Sequence, residues 1–121
     1  MLIKFIEPDF EFSDDRGCLK QLVHEGWTQV NYIASVGNAF RGNHYHKENR
    51  EAFYVIDGKF KLTAKNLEGS LKEEYEMKKG DFFIIEPLIV HSFEYLEKTA
   101  LISFYDKGVE SSDGSKDIWS L

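Results

Sequence analysis

Along most of this chain, apolar and aromatic residues recur with a period near two, in short runs closed by turn residues. That alternation sends successive side chains to opposite faces of a strand, so it predicts a protein built from strands, and no stretch carries the repeat of an amphipathic helix. The expected strands are Leu2–Ile6, Leu19–His24, Gln29–Val36, Ala52–Ile56, Lys59–Lys65, Leu71–Met77, Phe82–Glu86, Ser92–Leu96 and Ala100–Tyr105. Asp57-Gly58, set between two such runs, reads as a type I′ hairpin, because that pair tolerates positive φ. Asn66–Ser70 and Lys79–Asp81 mark two further turns. Many short strands at nearly regular spacing imply a sandwich or a closed barrel, and closure removes exposed sheet edges. The polar segment Gly108–Asp117 is expected as a surface loop, with Ile118 and Trp119 after it as an apolar clip that pins the tail back.

Size and charge narrow this picture. A chain of 121 residues, 42% apolar and 30% charged, has the dimensions of one domain, here residues 1–121. Twenty-one carboxylates against 15 dispersed Lys and Arg residues argue against nucleic-acid binding. No apolar run approaches the roughly 20 residues that span a bilayer. The start MLIKFIEPDFEF lacks the long apolar segment of a signal peptide, so no membrane association and a cytoplasmic location are expected. The lone Cys18, between Gly17 and Leu19, cannot form an internal disulfide and is expected to be a small buried filler and not a nucleophile.

The residues that carry chemistry are three of the four histidines and one glutamate: His44-Tyr45-His46, then Glu51, then His91. Residues two apart on a strand share a face, so His44 and His46 can converge on one ion. The connection Lys47–Arg50 is able to turn Glu51 back beside them, and His91 opens a strand in register with Phe93 and Tyr95, which should place an aromatic wall on its face. Three imidazoles and one carboxylate suit a divalent metal with open coordination positions, able to polarise a carbonyl. His24 lies apart from this pattern.

In these residues the chain resembles the cupin superfamily. Gly37, His44-Tyr45-His46, Glu51 and Gly58 follow its first motif, and Gly80-Asp81, Pro87 and His91 follow a looser form of its second. The resemblance implies an all-β cupin β-barrel, a double-stranded β-helix or jelly roll, with metal ligands at His44, His46, Glu51 and His91. Asp14-Asp15-Arg16-Gly17 and Arg41-Gly42-Asn43-His44 look like cupins that act on nucleotide-linked sugars. Among these are deoxysugar 3,5-epimerases, 3,4-ketoisomerases and the metal-bearing C-terminal cupin domain of capsular-polysaccharide enzymes. The carboxylate at Glu51 and the imidazole at His46, where metal-free relatives carry glutamine, favour the third group.

The expectation is therefore a metal-dependent isomerase or epimerase acting on a nucleotide-linked 4-keto-6-deoxysugar by proton abstraction next to the ketone. Zinc is the leading ion, with iron, nickel or manganese as alternatives. Such chemistry needs a base, an electrophile for the developing oxyanion and a proton donor. A histidine bound to metal cannot also be the base, so the catalytic candidates are either His44 and His46 themselves or, with metal bound, a carboxylate or a tyrosine such as Tyr45, Tyr54 or Tyr95. Arg41 is the first candidate for the diphosphate, with Arg16, Lys47 and Arg50 behind it. Phe93, with Phe40 and Phe53, is available to line the pocket or stack on a base. Two other functions fit the same ligands: a non-catalytic metal- or sugar-binding module, and an iron-dependent dioxygenase. The fold class also implies a homodimer.

Overall fold

The computed structural model describes residues 1–121. Its strands are β1 (Ile3–Phe5), β2 (Phe10–Asp14), β3 (Gly17–Gln21), β4 (Gln29–Ser35), β5 (Phe40–Tyr45), β6 (Glu51–Asp57), β7 (Lys59–Asn66), β8 (Lys72–Lys78), β9 (Phe82–Ile85), β10 (Ile89–Tyr95), β11 (Thr99–Tyr105) and β12 (Trp119–Ser120). They form two five-stranded sheets, ordered β1-β9-β6-β11-β4 and β12-β5-β10-β7-β8, and every pairing is antiparallel. Strands β2 and β3 pair only with each other, as a separate hairpin. This is the jelly-roll barrel that the alternating pattern and the cupin motifs imply. No helix is long and apolar enough to cross a membrane.

Alternation along each strand decides what lies between the sheets. Phe53 and Val55 of β6, Phe83 and Ile85 of β9 and Leu101 of β11 meet Phe60, Leu62 and Ala64 of β7 and Phe93 and Tyr95 of β10 in one buried core. Each large side chain there contributes about 1.5–3 kcal/mol by leaving water. The intervening residues of the first sheet, Ala52, Phe82, Ile84 and Phe104, build a second cluster on its other face, packed by Leu22, Val23 and Trp27.

Three expectations change. Asp57-Gly58 is not a hairpin, because β6 and β7 belong to opposite sheets and the turn carries the chain across the barrel corner. Gly58 has φ of 104°, and a Cβ there would lie 2.4 Å from Thr99 Oγ1 and 2.6 Å from the Lys98 carbonyl oxygen, so only glycine fits. Strands β2 and β5 were not among those expected. Every residue of β2 is exposed, which erases the inside–outside contrast, and β5 carries the polar run Arg41-Gly42-Asn43-His44. His91 sits inside β10, which begins at Ile89. The apolar clip forms as anticipated: Trp119 and Ser120 pair with Tyr45 and His44 at the edge of the second sheet.

Candidate active site

The site is assembled where β5 and β10 run side by side. Arg41 pairs with Phe93, Gly42 with Ser92 and His44 with His91, so Asn43 is an extra residue in β5. A β-bulge of this kind lets two residues of one strand oppose one of its neighbour. Asn43 adopts φ of 59°, its amide N–H donates to Ser92 Oγ at 3.0 Å, and the Ser92 hydroxyl donates to Asn43 Oδ1 at 3.3 Å. The consequence is functional geometry. Arg41 and His44, three apart and destined for opposite faces of a regular strand, both line the same cavity as His91 and Phe93. Gly42 fits tightly there, since a Cβ would lie 2.6 Å from Ser92 Cβ and Oγ.

The cavity, of about 590 Å³, is also lined by His46, Glu51, Tyr95, Tyr105, Phe40, Phe53, Ile33 and Ile118. At its base, one nitrogen each of His46 and His91 and one oxygen of Glu51 lie within 4.8 Å of one another, and all three residues are buried. His46 Nε2 is 3.0 Å and His91 Nε2 3.7 Å from Glu51 Oε1. The other ring nitrogens face main-chain carbonyls: His46 Nδ1 meets Asp117 O at 2.6 Å and His91 Nδ1 meets Ile89 O at 3.2 Å. A carbonyl only accepts, so both Nδ1 atoms carry hydrogen and both Nε2 atoms turn toward the carboxylate. Imidazoles braced this way, beside an anionic oxygen, form a donor set that fits a divalent ion of the zinc type.

The same cluster is electrostatically asymmetric. Burial opposes protonation of His46, but the Glu51 carboxylate and the Asp117 carbonyl outweigh it and raise its pKa above the ordinary imidazole value. Burial lowers the pKa of His91, which favours its neutral form. Tyr105, paired in register with Glu51, is held strongly as the neutral phenol by burial and by that carboxylate. Burial likewise raises the pKa of Tyr95, against the influence of Ser35 and Arg41.

His44 lines the cavity but stands outside the three-residue cluster. It is half-buried and pairs in register with His91, whereas His46 lies beyond the end of β5. Arg41 is held by its Nε–H, which donates to Ser35 Oγ at 3.0 Å. Its guanidinium lines the cavity beside the Tyr95 hydroxyl, with which it also interacts.

Other residues expected at the site lie elsewhere. Tyr45 alternates away from the lining and pairs with Trp119. Lys47 is exposed, with its Nζ 3.7 Å from the Trp119 ring centroid. Arg50 pairs with Glu86 at 3.3 Å and lies over Trp27. Arg16 pairs with Asp14 on the separate β2–β3 hairpin, and Tyr54 meets Lys20 and Phe82. Strand parity turns Tyr45 and Tyr54 away from the lining, the chain's turn after His46 carries off Lys47 and Arg50, and Arg16 sits on a hairpin that pairs with neither sheet. Conversely, Tyr105, Ile118 and Asp117 were not anticipated. Only the end of β11 opposite Glu51 and the apolar clip could have signalled them.

Comparison with known proteins bears on these geometries. Residues 12–107 match the family model described as the polysaccharide biosynthesis C-terminal domain. The chain belongs to that family. Among solved structures, this family member is similar to the sugar 3,4-ketoisomerase QdtA from Thermoanaerobacterium thermosaccharolyticum, in complex with TDP. The two are 19% identical, with TM-score 0.78 over 98% of this chain and 87% of that one. A dTDP-4-dehydrorhamnose 3,5-epimerase from Sulfolobus tokodaii aligns at 20% identity and TM-score 0.75, over 100% of this chain and 82% of that one. The capsular polysaccharide assembling protein CapF from Staphylococcus aureus aligns at 22% identity and TM-score 0.70, over 93% of this chain but only 34% of its own. At these identities the likeness establishes the cupin barrel. A comparison with curated proteins returns no match.

Proposed function

We propose that this protein is a sugar-nucleotide isomerase or epimerase that moves a proton at the carbon next to the ketone of a nucleotide-linked 4-keto-6-deoxysugar. The observation that carries the reading is one cavity holding three separate chemical functions: Arg41, His44 and the His46–Glu51–His91 cluster. Arg41 would anchor the diphosphate, because its guanidinium offers paired donors to phosphate oxygens. His46, Glu51 and His91 would hold a divalent ion, zinc first, and that ion would supply a Lewis acid for the ketone oxygen. His44, being outside that cluster, keeps a free lone pair and is assigned as the group that takes or returns the proton. Tyr95 and Tyr105, both held neutral, are the available hydroxyl donors on the wall. Phe40 at the exposed rim and Phe93 deeper in would pack against base and sugar.

The family match and the activities of the ketoisomerase and epimerase relatives support this class of reaction. A homodimer belongs to the same proposal. The β2–β3 hairpin exposes Phe10, Phe12 and Leu19, and the edge strand β4 exposes Val30 and Tyr32. Arg16, carried on that hairpin and outside its own cavity, would reach a substrate only from a second copy.

The test is incubation of untagged protein in heavy water with TDP- and UDP-linked 4-keto-6-deoxyglucose, followed by proton NMR. Deuterium should enter the carbon beside the ketone, and His44→Ala should slow the uptake by about 10²–10⁴-fold. No uptake with either nucleotide sugar would end this reading.

A further inference from the structure

The family match ends at residue 107, yet the segment beyond it returns to the site. Asp117 is its anchor. Asp117 Oδ1 accepts the Lys47 N–H at 2.8 Å and the Trp119 indole N–H at 3.0 Å. Oδ2 accepts the N–H groups of Glu48 and Asn49, both at 3.0 Å, and Asn49 Nδ2–H at 2.9 Å. One carboxylate thus caps the first three residues of the connection between His46 and Glu51, and Asp106 accepts the N–H of the fourth, Arg50. At Asp117 the main-chain carbonyl accepts His46 Nδ1–H at 2.6 Å. Trp119 lies under the Lys47 ammonium and pairs in register with Tyr45, so the tail is fastened on both sides of Asp117.

We propose that Asp117 is a positioning residue: its carboxylate latches the C-terminal tail onto the 47–49 turn, and its carbonyl thereby fixes the tautomer and ring orientation of His46. The inference rests on the reading of His46 as a site residue given above. Its physical basis is that an imidazole presents Nε2 reliably only when Nδ1–H has a fixed acceptor. Here that acceptor lies in the segment between β11 and β12, outside both sheets, and four hydrogen bonds from residues 47–49 to one side chain do the tying. Ile118, the next residue, lines the cavity, so the same latch sets one of its walls.

The decisive readout is the His46 Nδ1–H proton in full-length, ¹⁵N-labelled, zinc-free protein, assigned by its absence in His46→Asn. The parent should show a downfield resonance that exchanges slowly with water. Asp117→Ala should lose it while the melting transition stays cooperative, and Asp117→Asn should restore it in part. Asp113→Ala, which removes only contacts to Ser115 in the same tail, should leave it unchanged. If Asp117→Ala does not fold, Trp119→Ala, which removes the fifth bond to that carboxylate, should speed the exchange. A second measurement, zinc affinity by chelator competition, should fall about 10–100-fold in Asp117→Ala. Parent-like exchange in Asp117→Ala or, if that variant does not fold, in Trp119→Ala would overturn the proposal. The NMR arm needs neither metal nor turnover, so it stands or falls separately from the heavy-water experiment.

Discussion

Strand β10 has two neighbours that treat it differently. Against β7 its register is unbroken from Ile89↔Asn66 to Tyr95↔Phe60, and the inward residues of β7 are Phe60, Leu62 and Ala64, all fully buried. Against β5 the register slips at Asn43, and the inward residues are Arg41 and His44. One regular pairing therefore builds the core, and one bulged pairing builds the site. The bulge changes which residues face the cavity without breaking the barrel, so chemistry sits on a scaffold that the aromatic core holds rigid. Phe93 joins the halves: it stacks on Phe60 with centroids 4.7 Å apart and lines the cavity beside His91.

The sharpest way to break this contrast is to remove chemistry from β5 and packing from β7. His44→Ala should slow solvent exchange of the substrate by about 10²–10⁴-fold, the usual worth of a positioned acid or base, with little change in thermal midpoint. Phe60→Ala should do the reverse. Its cost should be about 3–5 kcal/mol in denaturant unfolding, because a cavity opens among Phe83, Phe93 and Tyr95, while the residual folded protein keeps its activity. Gly42→Ala lies between them, forcing a Cβ against Ser92 and Phe40. It should cost about 1–3 kcal/mol and also weaken nucleoside-diphosphate binding measured by calorimetry, as Arg41 shifts with the bulge.

A pH experiment sharpens the comparison at the edge of β5. Partial burial works against ionisation of Asp117, yet hydrogen bonds from Asn49, Lys47, Glu48 and Trp119 hold its pKa well below the usual carboxylate range. The folded state therefore binds fewer protons at this group than the unfolded one. Its stabilisation is complete above about pH 4 and is lost as pH falls below that, toward the depressed folded value. Asp117→Asn should flatten this acid limb in urea melts at graded pH. The smallest effect is expected at Ser103, whose buried hydroxyl on β11 has no hydrogen-bond partner. Ser103→Ala should be neutral or stabilising by up to about 1 kcal/mol.

The regular half of this comparison is the half that was legible in the sequence. Alternation marked β7, β10 and β11, and it put Phe93 and Tyr95 on one face with His91. It said nothing of the Asn43 bulge, since a single extra residue leaves no periodic trace and simply makes Arg41 and His44 look mismatched. The same local reading made Asp57-Gly58 a hairpin, because a turn between paired strands and a turn between sheets share their residue chemistry. At the site, His46, Glu51 and His91 were found by motif and lie together. The pattern grouped His44 with them as well; it lines the same cavity, outside the three residues whose ligand atoms lie within 4.8 Å of one another. Tyr105 and Asp117 were invisible because their roles depend on contacts with residues 54 and 71 positions away, Glu51 and His46.

The position of His44 outside the buried cluster is the ground on which a task separate from metal binding is proposed for it. The most direct test is elemental analysis of zinc-grown, untagged His44→Ala beside His91→Ala and the parent. Stoichiometric zinc in the parent and in His44→Ala, with loss in His91→Ala, is the predicted result. Loss of zinc from His44→Ala as complete as that from His91→Ala would put His44 in the ligand set and contradict the division of labour argued above.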